Sequence, residues 1–214
     1  MLGFYNYTVV LTYLSLCSGI TGIYLTLVGR GHPGLATVCL LISGLLDAFD
    51  GKVARTRTQS TDQEKRFGIQ IDSLCDLVCF GVLPCCIGYA SGMRSPLYVP
   101  VFCLFVLAAL IRLAYFNVTE EDRQKETAER RKNYQGLPVT SISLIMPLFF
   151  LLAFTPVREY LQFVFLGVLL LTAAAFVTRS IKIKKPNSQG LIVMVVIGLV
   201  ERTILLLLKF RVFC

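Results

Sequence analysis

The feature that most constrains this chain is a train of apolar blocks, each near the length that crosses a lipid bilayer. They fall at 8–28, 34–50, 70–91, 96–117, 138–154, 159–178 and 190–208. A spanning helix needs about 20 apolar residues, and backbone groups in hydrocarbon must satisfy one another, so these blocks are expected to be helices. Barrel strands would instead show short alternating segments. Composition agrees: 55% hydrophobic and 16% charged residues, with mean hydropathy +0.69, leave too little polar side chain to coat a soluble domain of 214 residues. No linker or low-complexity tract divides the chain, so residues 1–214 are read as one transmembrane domain. Residues 1–7 carry no lysine or arginine and no cleavage-like end follows the first block, which therefore reads as a retained helix rather than a signal peptide.

Basic residues fix the expected orientation. Segments 51–69, 118–137 and 179–189 together hold fourteen lysines and arginines, among them Lys52, Arg57, Lys65, Arg66 and Arg179. The alternate loops hold three: Arg30, Arg94 and Arg158. The positive-inside bias puts the basic loops, and the N-terminus with them, in the cytoplasm. The net charge of +8 is thus mainly a topology signal, helped by attraction to anionic lipid. Charge spread over three short loops beside membrane spans argues against a nucleic-acid partner. The last block is open: Glu201 and Arg202 lie in its middle and Lys209 and Arg211 follow it. It reads either as one span with an internal ion pair or as two short re-entrant pieces.

The eight cysteines do not form a disulfide framework. Cys39, Cys75, Cys79, Cys85, Cys86 and Cys103 fall in apolar spans, where they act as small hydrophobes, and no histidine partners complete a zinc spacing. His32 is the single histidine and sits in a short outer loop, which argues against a histidine-based catalyst or metal site.

Four carboxylates remain, in a region where charge is expensive. Asp47 and Asp50 share one face of the second span at i, i+3, and Asp72 and Asp76 share one face of the third at i, i+4. A helix hairpin brings the pairs together, where they repel at low dielectric unless a cation intervenes. All-oxygen ligands point to Mg²⁺, Mn²⁺ or Ca²⁺ rather than zinc. Gly51 follows Asp50 with no side chain to block a ligand, Ala54 keeps the same face small, Arg55 can reach a phosphate one turn on, and Gly68 permits close backbone approach before the third span. Singly, each feature has a bland explanation: an N-cap, a topology anchor, a packing glycine. Together at fixed spacing they do not.

The pattern Asp47-x-x-Asp50-Gly51-x-x-Ala54-Arg55, twelve residues, then Gly68-x-x-x-Asp72-x-x-x-Asp76 resembles the signature of the CDP-alcohol phosphotransferases at every specified position. The resemblance implies an all-α membrane protein with a six-helix transmembrane core, here followed by a C-terminal hydrophobic segment. It implies transfer of a phosphatidyl-type group from a CDP-linked lipid to an alcohol with release of CMP. It further implies a pair of ions, Mg²⁺ or Mn²⁺, among Asp47, Asp50, Asp72 and Asp76, a CDP site lined by Gly51, Ala54, Arg55 and Gly68, and a homodimer. Asp76, deepest in its span, is the candidate general base. An intramembrane cation transporter is the remote alternative, but its acids would lie along a path near mid-membrane.

Two further stretches, Arg112-Leu113-Ala114-Tyr115-Phe116-Asn117 and Tyr134-Gln135-Gly136-Leu137-Pro138, resemble the branch of that family that uses L-serine with CDP-diacylglycerol. Glycerol phosphate, inositol and inositol phosphate are the alternative acceptors. In that branch the first stretch usually reads Arg-Leu-Ala-Arg-Phe-Asn, so Tyr115 replaces a cation. Arg112 is then expected to hold the serine carboxylate, and Asn117 or Gln135 to accept from its ammonium. With Tyr115 offering only a hydroxyl, the anion site is expected to match a single negative charge.

Overall fold

The computed structural model describes residues 9–29, 31–54, 61–126, 133–180, 182–184, 200 and 203. Six helical rods make up the described chain: α1 (Val10–Leu27), α2 (Pro33–Ala54), α3 (Asp62–Ala90), α4 (Val99–Glu126), α5 (Ile142–Phe150, prolonged by 3₁₀ turns on both sides) and α6 (Leu161–Val177). Among the described residues five helices are long and apolar enough to cross a membrane, and Val139–Phe154 is a shorter apolar helix. The chain is thus an all-α, multi-pass membrane protein, as its apolar blocks predict. The last block, 190–208, lies almost wholly outside the described residues.

Helices in lipid gain little from burying more hydrocarbon, so close backbone approach and hydroxyl hydrogen bonds hold them together. One face of α1 is a stripe of small residues: Thr12, Ser15, Gly19, Gly22 and Thr26 are buried at i, i+3 and i+4 spacing. Ser15 Oγ donates to the Ser43 carbonyl at 3.2 Å, and Ser43 Oγ donates to the Ser15 carbonyl at 3.0 Å, stitching α1 to α2. A Cβ at Gly19 would stand 2.6 Å from Cys79 Sγ, and one at Gly22 would stand 2.9 Å from Leu83 Cδ1, so α3 rests directly on this stripe. On the other side of α2, a Cβ at Gly44 would run into Ser143 of α5. The aromatic core lies between the later helices: Phe105 of α4 meets Phe176 of α6 at 5.6 Å, and Phe150 stacks on Phe165 at 6.3 Å.

α3 is not uniform. Its start is fixed by a capping box in which the Glu64 amide donates to Thr61 Oγ1 at 3.3 Å and the Thr61 amide donates to Glu64 Oε2 at 3.0 Å. After Asp76 the helix widens into a π-helical stretch, Leu77–Val82, where the Leu83 amide reaches back five residues to the Val78 carbonyl. Pro84 accounts for the widening. In an unbroken α-helix its ring would collide with the carbonyl four residues back, and it has no N–H to give.

One element has no counterpart in the sequence reading. β1 (Asn133–Gln135) and β2 (Lys182–Lys184) pair antiparallel, with Tyr134 opposite Ile183. This small ribbon ties the segment after α4 to the segment after α6. It adds two three-residue strands to a helical fold and leaves the fold class unchanged.

Candidate metal centre

α1, α2 and α3 meet at a cluster of carboxylates. Asp47, Asp50 and Asp72 each offer a carboxylate oxygen, and these oxygens all lie within 4.8 Å of one another. Asp50 is buried and accepts a hydrogen bond from Thr12 Oγ1 at 3.2 Å. Asp72 Oδ1 is buried with no hydrogen-bond partner among the described residues. At that spacing each ionised pair costs about 3–4 kcal/mol at an effective dielectric of about 20. Three converging carboxylates with an orphaned buried oxygen fit an oxygen-coordinated divalent cation, which neutralises the repulsion and satisfies Asp72 Oδ1. Asp76 is buried one turn further along α3 and lies within electrostatic reach of the other three carboxylates, but outside the group that converges within 4.8 Å.

The remaining signature positions divide. Gly51 and Ala54 form the last turn of α2, and Arg55 lies outside the described residues. At Gly68 a Cβ would find nothing within 4 Å, so helix packing does not account for that glycine. His32 sits at the start of α2, about 20 Å from Asp47 by helical rise. All seven described cysteines are free, and Cys79 packs beneath the site with its thiol donating to the Ser15 carbonyl at 3.4 Å.

The second signature is placed by contacts between distant segments. Ser73 Oγ donates to Asn117 Oδ1 at 3.0 Å, fastening α4 to α3 beside Asp72. Arg112 is buried, its Nε donating to the Leu137 carbonyl at 3.2 Å and its guanidinium lying 5.8 Å from the Phe116 ring centre. At 100° per residue, Asn117 lies about 140° round α4 from Arg112 and Tyr115 about 60° the other way, so Arg112 stands between the two faces. Gly136 has φ +78°, and a Cβ there would approach the Phe176 carbonyl to 2.9 Å and Arg112 Nε to 3.3 Å. The Leu137 amide donates to the Ala175 carbonyl at 3.1 Å, seating the turn on the end of α6. Gln135 is held by β1, opposite Lys182.

Two participants escaped the sequence reading. Thr12 is one hydroxyl in a stripe of small residues, and nothing local marks it as the partner of Asp50. Arg179, grouped with the topology charges, places its guanidinium 5.1 Å from the Tyr115 ring centre. With Ile111, Arg112, Tyr115, Gly136, Phe176, Val177 and Thr178 it lines a cleft of about 140 Å³. None of the four aspartates lines this cleft.

Fold and site define a multi-pass helical membrane protein organised round an acidic cluster. The chain matches the CDP-alcohol phosphatidyltransferase family over residues 5–183 and belongs to it. It is 35% identical over 144 residues to the CDP-diacylglycerol–serine O-phosphatidyltransferase of Saccharomyces cerevisiae, a match covering 63% of this chain and 51% of that relative. A protein of the same name from Mycobacterium bovis is 32% identical over 137 residues, covering 64% of this chain and 46% of the relative. The archaetidylserine synthase of Methanothermobacter thermautotrophicus is 32% identical over 146 residues, covering 67% and 57%. The matches thus span about half the length of these curated relatives.

Proposed function

We propose that this chain transfers a phosphatidyl group from CDP-diacylglycerol to L-serine, giving phosphatidylserine and CMP. The observation that carries the reaction class is the convergence of Asp47, Asp50 and Asp72 with an unsatisfied buried oxygen on Asp72, in a member of this family. Serine is supported by the relatives, whose names share that head group while one differs in its lipid.

Asp47, Asp50 and Asp72, with Asp76 one turn further on, would hold a pair of ions, Mg²⁺ or Mn²⁺. Metal bound there would supply positive charge to offset the diphosphate and the departing CMP. Gly51, Ala54, Arg55 and Gly68 line the CDP site, and the open space at Gly68 supports that role. The serine hydroxyl is a poor nucleophile at neutral pH. Asp76 takes its proton as the oxygen attacks the phosphorus, and the bond from that phosphorus to CMP breaks. Arg112 holds the serine carboxylate, and Asn117 or Gln135 accepts from the ammonium. Residues 1–214 act as one domain, the active site faces the cytoplasm, and the protein works as a homodimer.

The deciding experiment follows CMP release by purified protein given CDP-diacylglycerol and a panel of alcohols. The expected outcome is release with L-serine and little with inositol, inositol phosphate or glycerol phosphate. Faster release with glycerol phosphate refutes the choice of acceptor but not the reaction class. Orientation is tested by single cysteines at Gln63 and Ser95: the first should be labelled from the cytoplasm and the second from outside.

A further inference from the structure

Tyr115 removes a cation from the second signature, which predicts an anion site with one positive partner. The folded chain brings Arg179 to that spot from the far end of α6, with its guanidinium over the Tyr115 ring at 5.1 Å. Both arginines line one cleft, and no aspartate or glutamate is among its lining residues. Its volume of about 140 Å³ is well below the roughly 300–1,000 Å³ of sites that enclose larger ligands, and it suits a small anionic group. The neighbouring backbone is fastened by several contacts. Arg112 is tethered to the Leu137 carbonyl, the Leu137 amide is bonded to Ala175, and Gly136 leaves no room for a side chain.

We propose that Tyr115 is a positioning residue whose ring seats Arg179 beside Arg112, so that the end of α6 supplies the second cation for the carboxylate of the amino-acid acceptor. An exposed arginine is otherwise free to sample many rotamers, and each must be given up when it grips an anion. A ring face beneath the guanidinium holds it in one place through cation–π attraction while leaving its N–H edge for a ligand. The observed contact is with the ring face, which phenylalanine also offers. The inference rests on the serine reading above and adds Arg179 and Tyr115 to it.

Arg179→Gln should raise the serine KM about tenfold or more, the scale of a hydrogen bond to a charged group, with the KM for CDP-diacylglycerol unchanged. Tyr115→Leu should raise the serine KM about two- to fivefold above that of Tyr115→Phe, which keeps a ring face under Arg179. Tyr115→Arg combined with Arg179→Gln should recover part of the loss, because the cation is then carried by α4 itself. A readout without turnover uses phenylglyoxal and mass spectrometry. L-serine should protect Arg179 in the wild type, and Tyr115→Leu should be modified there faster than Tyr115→Phe. An unchanged serine KM in Arg179→Gln, or a rise in the CDP-diacylglycerol KM instead, overturns the inference. Equal phenylglyoxal rates in the Leu and Phe variants overturn the seat even if wild-type protein prefers another alcohol. Failure of wild type to use serine counts against the functional reading alone.

Discussion

The carboxylate side of this molecule and the arginine side are assembled in opposite ways. Asp47, Asp50 and Asp72 come from two consecutive helices and share a compact sequence signature, and α1 backs them with a stripe of small residues. Arg112, Gly136 and Arg179 come from three segments separated by tens of residues, and they meet where α4 packs on α6 and a turn and a ribbon join the two ends. The first site depends on helix phase and the second on long-range closure. A change on the carboxylate side should therefore act on chemistry with little effect on folding, and a change at the closure should act on both.

The largest effect is expected at Asp50. Asp50→Asn should lower CMP release by more than the 10–100-fold typical of outer-shell partners of a metal, and EDTA should abolish wild-type activity until Mg²⁺ or Mn²⁺ is restored. Full activity in protein shown to be metal-free would remove the basis for the comparison. Gly136→Ala comes next. Its φ of +78° and the carbonyl at 2.9 Å predict a loss of about 1–3 kcal/mol, read as a lower Tm in detergent, together with weaker acceptor use. A variant with normal Tm and normal serine KM would show that the closure is not needed. Thr12→Val should cost about tenfold in activity or metal affinity, the low end for an outer-shell partner, because it removes one hydrogen bond to Asp50 and keeps the side-chain shape. The smallest effect belongs to Thr61→Ala. Loss of the capping box should cost about 1 kcal/mol of stability and leave the serine KM alone.

The same contrast explains what the sequence made legible. The apolar blocks and the i, i+3 and i, i+4 carboxylates are local patterns, and helix geometry converts the carboxylate spacings directly into faces. Asp72 and Asp76 could thus be put on one helix face with Asp76 the deeper, while which three of the four carboxylates converge within 4.8 Å could not. Thr12 lay in a readable close-packing stripe, but its partner is 38 residues away and no periodicity names it. Asn133–Gln135 and Lys182–Lys184 are too short for any strand pattern to emerge. Arg179 looked like every other basic residue at a helix end. Its distinction is the ring of Tyr115, a contact across 64 positions that only the folded chain displays.

The wide turn at Leu77–Val82 couples two sequence changes that look independent. Each residue removed from a helix rotates everything beyond it by about 100°. Deleting one residue from this turn would tighten it to an ordinary α-turn and would set the ring of Pro84 against a carbonyl. Replacing Pro84 alone would remove the reason for the turn while leaving its extra residue in place. Length in this stretch and proline at its end are therefore expected to vary together among descendants of this chain. The carboxylates below it, anchored by their own cap, keep their phase while the upper half of α3 drifts.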